Sequence, residues 1–148
     1  MFKVMLALHL LTAIFAIGPL VHASTTASRG LRQKDAAALS SSARTIKIYS
    51  IVSVVVVIFG FGLMSADAPW GTGGEKVASF SEAWIWISAL LWLVAVGLCH
   101  GLVIPPLEKA AADVELAPSF TAKVAAGGGL IGLIFAVIVV LMVYRPGA

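Results

Sequence analysis

The sequence predicts an all-α membrane protein, a bundle of four transmembrane helices. Three observations carry that prediction. Four apolar runs, residues 3–23, 46–64, 83–104 and 124–144, take up most of the 148-residue chain. Each is about 20 residues, the length at which an α-helix crosses roughly 30 Å of hydrocarbon. No Asp or Glu falls inside any of them, and only 11% of all residues are charged, against about a quarter in a soluble domain. The stretches between the runs, residues 24–45, 65–82 and 105–123, are too short to fold alone, so residues 1–148 read as one integral membrane domain.

Each run has its own punctuation. The first starts behind Lys3 and ends at Val21-His22-Ala23, which resembles a secretory signal with a small-x-small cleavage site. Its apolar stretch exceeds the about 7–15 residues of such signals, and it is read as a retained span. Gly18-Pro19 near its far end is tolerable where neighbouring helices satisfy the freed backbone groups. The second run contains Val54-Val55-Val56-Val57-Ile58, a string that would suggest a strand in water; its length and flanking charges favour a helix in lipid. Ala68-Pro69-Trp70-Gly71 and Gly73-Gly74 make the next connection turn-rich. Ser81 is a candidate cap for the third helix, with Trp84 and Trp86 at the interface. Pro105-Pro106 is expected to end that helix sharply, and Arg145-Pro146-Gly147 to end the fourth.

Orientation follows from Lys and Arg in the connections. The first holds Arg29, Arg32, Lys34 and Arg44, with Lys47 at its edge, and the third holds Lys109 and Lys123. Lys3, Lys76 and Arg145 lie on the opposite side. The positive-inside rule then puts both termini outside and the basic first connection in the cytoplasm of a multi-pass bacterial inner-membrane protein. Arg29, Arg32, Lys34 and Arg44 are topology determinants that also suit anionic lipid headgroups. A net charge of +3 gathered at helix ends, without interleaved aromatics, is not a nucleic-acid surface.

Lipid tails are as apolar as leucine, so helices in a bilayer associate through close packing of small residues. Gly97 and Gly101 form one such pair and Gly128 and Gly132 another, with Ala125 and Gly129 beside the second. Gly60 and Gly62, two apart, are expected on different faces of the second helix.

Titratable groups at membrane depth are the candidates for chemistry. His9 lies inside the first span, where hydrocarbon penalises an unpaired imidazole; a backbone carbonyl or a Ser or Thr of another helix is its expected partner. His22 and His100 both approach the basic end, where neighbouring helices would let them share a metal or a haem iron. A haem on His9 would need a second ligand at its depth, for which Met5, Met64 and Met142 are the candidates. No phosphate loop, Cys-x-x-Cys or pair of intramembrane carboxylates occurs, and the lone Cys99 permits no intrachain disulfide. A transporter of this size would show buried charge or paired broken helices.

Several short segments carry a resemblance. They are Leu8-His9-Leu10-Leu11 followed by Gly18-Pro19-Leu20, the basic connection leading into Ala43-Arg44, the Trp-rich third helix ending at Pro105, and Leu141-Met142-Val143-Tyr144-Arg145-Pro146-Gly147. Together they resemble an uncharacterised family of small four-span bacterial membrane proteins, which implies a four-helix membrane bundle and no assigned activity. The Leu-His segment is also similar to the first helix of copper-resistance membrane proteins and of haem-linked protoporphyrinogen oxidases. The chain lacks their Trp-Gly-Gly type continuation, so only His9 carries over.

The sequence therefore leads to the expectation of a non-catalytic accessory or assembly subunit. It would sit in the lipid bilayer against other subunits of a larger membrane complex, respiratory or otherwise energy-transducing, with no cofactor. The alternative expectation is a haem- or metal-binding four-helix membrane protein using His9, or His22 with His100.

Overall fold

The computed structural model describes residues 1–71 and 73–147. Its elements are α1 (Phe2–Gln33), α2 (Ala36–Met64), α3 (Ala83–Leu98), a π-helical turn (Cys99–Val103), α4 (Ile104–Ala112), a 3-10 turn (Val114–Leu116) and α5 (Ala117–Tyr144). Because α3 runs through the π turn into α4, four rods result, each long and apolar enough to cross a membrane. The all-α four-helix bundle is thereby borne out; among the described residues the one strand-like feature is a bridge between Asp67 and Lys76.

The rods outrun the predicted spans. α1 has 32 residues, about 48 Å of helix, against roughly 30 Å of hydrocarbon. Residues 24–45, expected as a loop, are two helix ends joined by a two-residue turn. Lys34 takes a left-handed conformation (φ 50°), and the N–H groups of Lys34 and Asp35 bond the Leu31 and Gly30 carbonyls. That arrangement satisfies the last carbonyls of α1. Asp35 then caps α2, its carboxylate accepting from the N–H groups of Ala37 and Ala38 at 3.0 and 3.1 Å. One dipeptide stops one helix and starts the next, setting them antiparallel.

Pro105-Pro106 does not end the third rod. In a regular α-helix the Pro105 ring would meet the Gly101 carbonyl and the Pro106 ring the Leu102 carbonyl. The π turn removes the conflict by widening the register, with the Ile104 N–H bonding the Cys99 carbonyl five residues back. The rod continues to Ala112, where the 3-10 turn, N-capped by Asp113, hands over to α5. Ser81 is likewise not the cap of α3. That place is Glu82, whose carboxylate instead binds the Ser79 N–H and the Trp84 indole.

The core is uneven along the bundle. Leu20, Leu31, Leu39, Ile46, Leu107 and Ile131 are fully buried towards the end that carries the basic α1–α2 turn. α1 packs along α2 and α5, and α3 along α5. α2 packs on α4 and the π turn, and it meets α3 through large side chains, Phe61 and Met64 against Trp84 and Ile85. The bundle is closed at the basic end, and α1 and α5, in contact where Gly128 and Gly132 meet Ser24 and Thr25, part towards the end that carries both termini, where Leu10, Ile14, Val139 and Val143 are exposed.

The glycines sort by contact. A Cβ on Gly128 would press on the Ser24 carbonyl, 2.7 Å from its carbon, and one on Gly132 would sit 3.5 Å from Thr25. This ridge is what brings α5 against α1. Gly97, Gly101 and Gly129 meet nothing within 4 Å, so neither the α3 pair nor the Ala125 and Gly129 ridge packs inside the chain. Gly60 and Gly62 both face α1, opposite to the expectation, because the long side chains of His9 and Met5 reach α2 on either side.

Candidate functional site: a cavity opening between α1 and α5

The splay leaves a cavity of about 590 Å³ in the half of the bundle towards the termini, walled by all four rods. That lies within the about 300–1,000 Å³ of small-molecule pockets. Its lining is aliphatic and aromatic except for a few polar groups, chiefly His9, Ser88 and Arg145.

His9 is placed by α1, and Gly60 of α2 makes room for it: a Cβ there would lie 3.1 Å from the ring. The Nδ1–H donates to the Val56 carbonyl at 3.0 Å, the first of the two kinds of partner expected for it. A carbonyl only accepts, so the proton is on Nδ1, and in the neutral ring Nε2 is a bare acceptor. Among the described residues nothing bonds that Nε2.

Ser88 sits on α3, about 8 Å below its start, a depth close to that of His9 on α1 at about 10 Å. It is 3% exposed, and its hydroxyl is the one fully buried side-chain polar atom without a hydrogen-bond partner among the described residues. Buried hydroxyls are ordinarily paired, since leaving one unmet costs about 1–3 kcal/mol.

Arg145 closes the end. It follows α5 in a left-handed cap (φ 44°) that turns its side chain back over the bundle. Nη1 donates to the Val77 carbonyl at 3.3 Å, and the guanidinium lies 5.6 Å from the Trp70 ring centre and 5.7 Å from that of Trp84. Such stacking stabilises a cation while leaving its edge donors available. Among the described residues no carboxylate pairs with it. The connection from α2 to α3 supplies these partners because it folds onto the bundle end, with Ala66, Val77 and Ala78 buried and Trp70 edge-on to Phe2 at 5.7 Å.

Two polar or aromatic crossings tie α3 and the connection before it to α2 and close that side of the cavity, together with Phe61 and Met64 packed on Trp84 and Ile85. At the cavity floor the Trp92 indole N–H donates to Ser53 Oγ at 2.9 Å, and Ser53 in turn donates to the Ser50 carbonyl. At its top Phe61 stacks on Phe80 at 6.0 Å, and Phe80 lies 6.4 Å from Trp86. Between Ser53 and Phe61 this wall spans about 12 Å of α2.

The other predicted site residues lie elsewhere. His100, in the π turn, has its Nε2 2.8 Å from Ser50 Oγ. Ser50 gives its one hydroxyl proton to the Lys47 carbonyl, so the imidazole is the donor and that nitrogen is occupied. His22 is exposed on α1, its ring unbonded, and no polar contact joins it to His100. No group of three or more His, Cys, Asp or Glu suited to a metal ion occurs among the described residues. Arg29, Arg32, Lys34 and Arg44 are exposed at the basic end, where Lys34 pairs with Glu115 at 2.9 Å.

Sequence reasoning overlooked Arg145 as part of a site and included Ser88 only among the Ser and Thr of other helices that could meet His9. A hydroxyl in the middle of an aliphatic run was the available signal for Ser88. Arg145 carried none, because a cation after a span reads as an end marker.

Fold and site together define a multi-pass membrane protein with an apolar, laterally open cavity. No protein-family model matches the chain, and no curated protein or solved structure is significantly similar to it.

Proposed function

We propose that this is a non-catalytic subunit of the bacterial cytoplasmic membrane, with both termini outside, that packs against another membrane protein in a larger, energy-transducing assembly. The observation that carries the reading is the contrast between its two glycine pairs. Gly128 and Gly132 are spent on α1, whereas Gly97 on α3 and Gly101 in the π turn are exposed and bare. Small residues on a lipid-facing surface let a second backbone approach closely. The basic end, with Arg29, Arg32 and Arg44 exposed, suits the cytoplasmic headgroups of that orientation. Purification from its native membrane in mild detergent tests the proposal: a defined complex is expected, and Gly97→Leu with Gly101→Leu should release the partner at unchanged helicity. A lone monodisperse monomer would overturn it.

The second reading, a haem held by His9, has one observation in its favour. The unbonded Nε2 lines the same cavity as Met64 and Met142, the thioethers available as a second ligand. A Soret band in the purified protein would establish that reading, and a featureless spectrum would remove it.

A further inference from the structure

We infer that the cavity holds one acyl chain of an anionic phospholipid, which enters sideways between α1 and α5 with its phosphate at Arg145. The inference goes beyond the packing role and does not depend on it.

Four features of the site agree on this occupant. The cavity is lined by exposed Leu10 and Ile14 of α1 and exposed Val139 and Val143 of α5, so it opens sideways between those two helices, and a bilayer surrounds that side. An occupant drawn from the membrane therefore needs no path through water. At about 590 Å³ the space suits one chain, leaving the second chain of the same lipid outside the gap. The wall is apolar over the depth a chain would cover, and the cation stands at the end of α5, where headgroups lie.

The polar groups select the head. Arg145 is held by two indole faces and one carbonyl, yet has no anion of its own among the described residues. A guanidinium with free edge donors matches phosphate oxygens in geometry and charge. About one and a half turns into α3 lies the orphan hydroxyl of Ser88, which needs an acceptor. In a phospholipid the ester carbonyls sit just below the phosphate, on the side towards the chains, and one of them is such an acceptor. A fatty acid anchored at Arg145 has no second oxygen at that depth. A zwitterionic lipid offers the phosphate but adds a cation beside Arg145.

The test uses the full chain reconstituted in vesicles of equal parts phosphatidylglycerol and phosphatidylcholine, taken into detergent and weighed by native mass spectrometry. Wild type is expected to retain one phosphatidylglycerol per chain in preference to phosphatidylcholine. Arg145→Gln should lower that preference about fivefold, the effect of one interfacial cation. Ser88→Phe, which fills the cavity, should abolish retention while circular dichroism stays helical; if that variant does not fold, Arg145→Gln alone decides the head. Retention of no lipid, equal retention of both lipids, or an unchanged preference in Arg145→Gln would each overturn the inference. So would one haem per chain in the wild-type spectrum.

Discussion

The Nδ1–H of His9 donates to the main-chain carbonyl of Val56, 47 residues away, at 3.0 Å. An intramembrane imidazole is thereby tied to a backbone that has no freedom to move away, since Val56 lies in the middle of α2. The bond fixes which ring nitrogen carries the proton, and with it which nitrogen looks for a partner.

Replacing His9 by Leu should remove that bond without opening a hole and destabilise the protein by about 1 kcal/mol, the net worth of such a bond. Gly60→Ala should cost less by itself, because its Cβ meets the ring at 3.1 Å and the ring has to shift. In the double variant the two costs should not add, and equilibrium unfolding in detergent reads the coupling. Additive costs would mean that His9 and Gly60 do not share a site.

The α1–α5 contact gives a sharper contrast. Gly128→Ala places a methyl group against the Ser24 carbonyl, so it should cost about 1–3 kcal/mol or more by forcing the helices apart. Gly129→Ala, one residue on, meets nothing and should be neutral or stabilising by up to about 1 kcal/mol through helix propensity. Melting temperatures of the two variants measure this, and similar values would contradict the packing described.

Across the floor of the cavity, Trp92→Phe and Ser53→Ala each break the 2.9 Å indole bond. Their coupling in a double-mutant cycle should be about 0.6 kcal/mol and not above about 1.7, as for hydrogen bonds between membrane helices. A coupling near zero would mean that this crossing does not hold α2 to α3.

In the connection on the terminal side, Asp67 and Lys76 pair at 2.8 Å, both exposed. The Lys76 hydrogen bond, and then its charge, hold the Asp67 carboxyl below its ordinary 3.8. A carboxyl whose folded value is depressed contributes its stability above the unfolded value and loses it as pH falls through the folded one. Ordering of this connection should thus be constant from neutral pH to about 4 and weaken below that. The midpoint of Asp67, followed by carbon NMR, should rise in Lys76→Gln; an unmoved midpoint would show that the pair does not form.

The membrane class, the number of spans and the need of His9 for a partner on another element were legible because each follows from a local cost. Polar groups in hydrocarbon have to be satisfied, and about 20 apolar residues suffice to cross it. The helix ends were not legible in the same way. Residues 24–45 look like a polar loop, yet their Ala and Ser at helical spacing bury Ala27, Leu31, Leu39 and Ala43 outside the span length. Pro105-Pro106 reads as a stop only if the turn before it is α-helical, and the π register at Cys99–Val103 is visible in the backbone alone.

By itself the sequence determined that four apolar helices cross a membrane, because length and the absence of charge are properties of each segment alone. The tertiary structure decided which glycines meet a neighbour, that His100 binds Ser50 and His9 binds α2, and that Ser88 and Arg145 belong to one cavity. Those are relations between rods. They depend on α1 and α5 meeting at Gly128 and Gly132 and parting towards the termini, and no single segment encodes that angle.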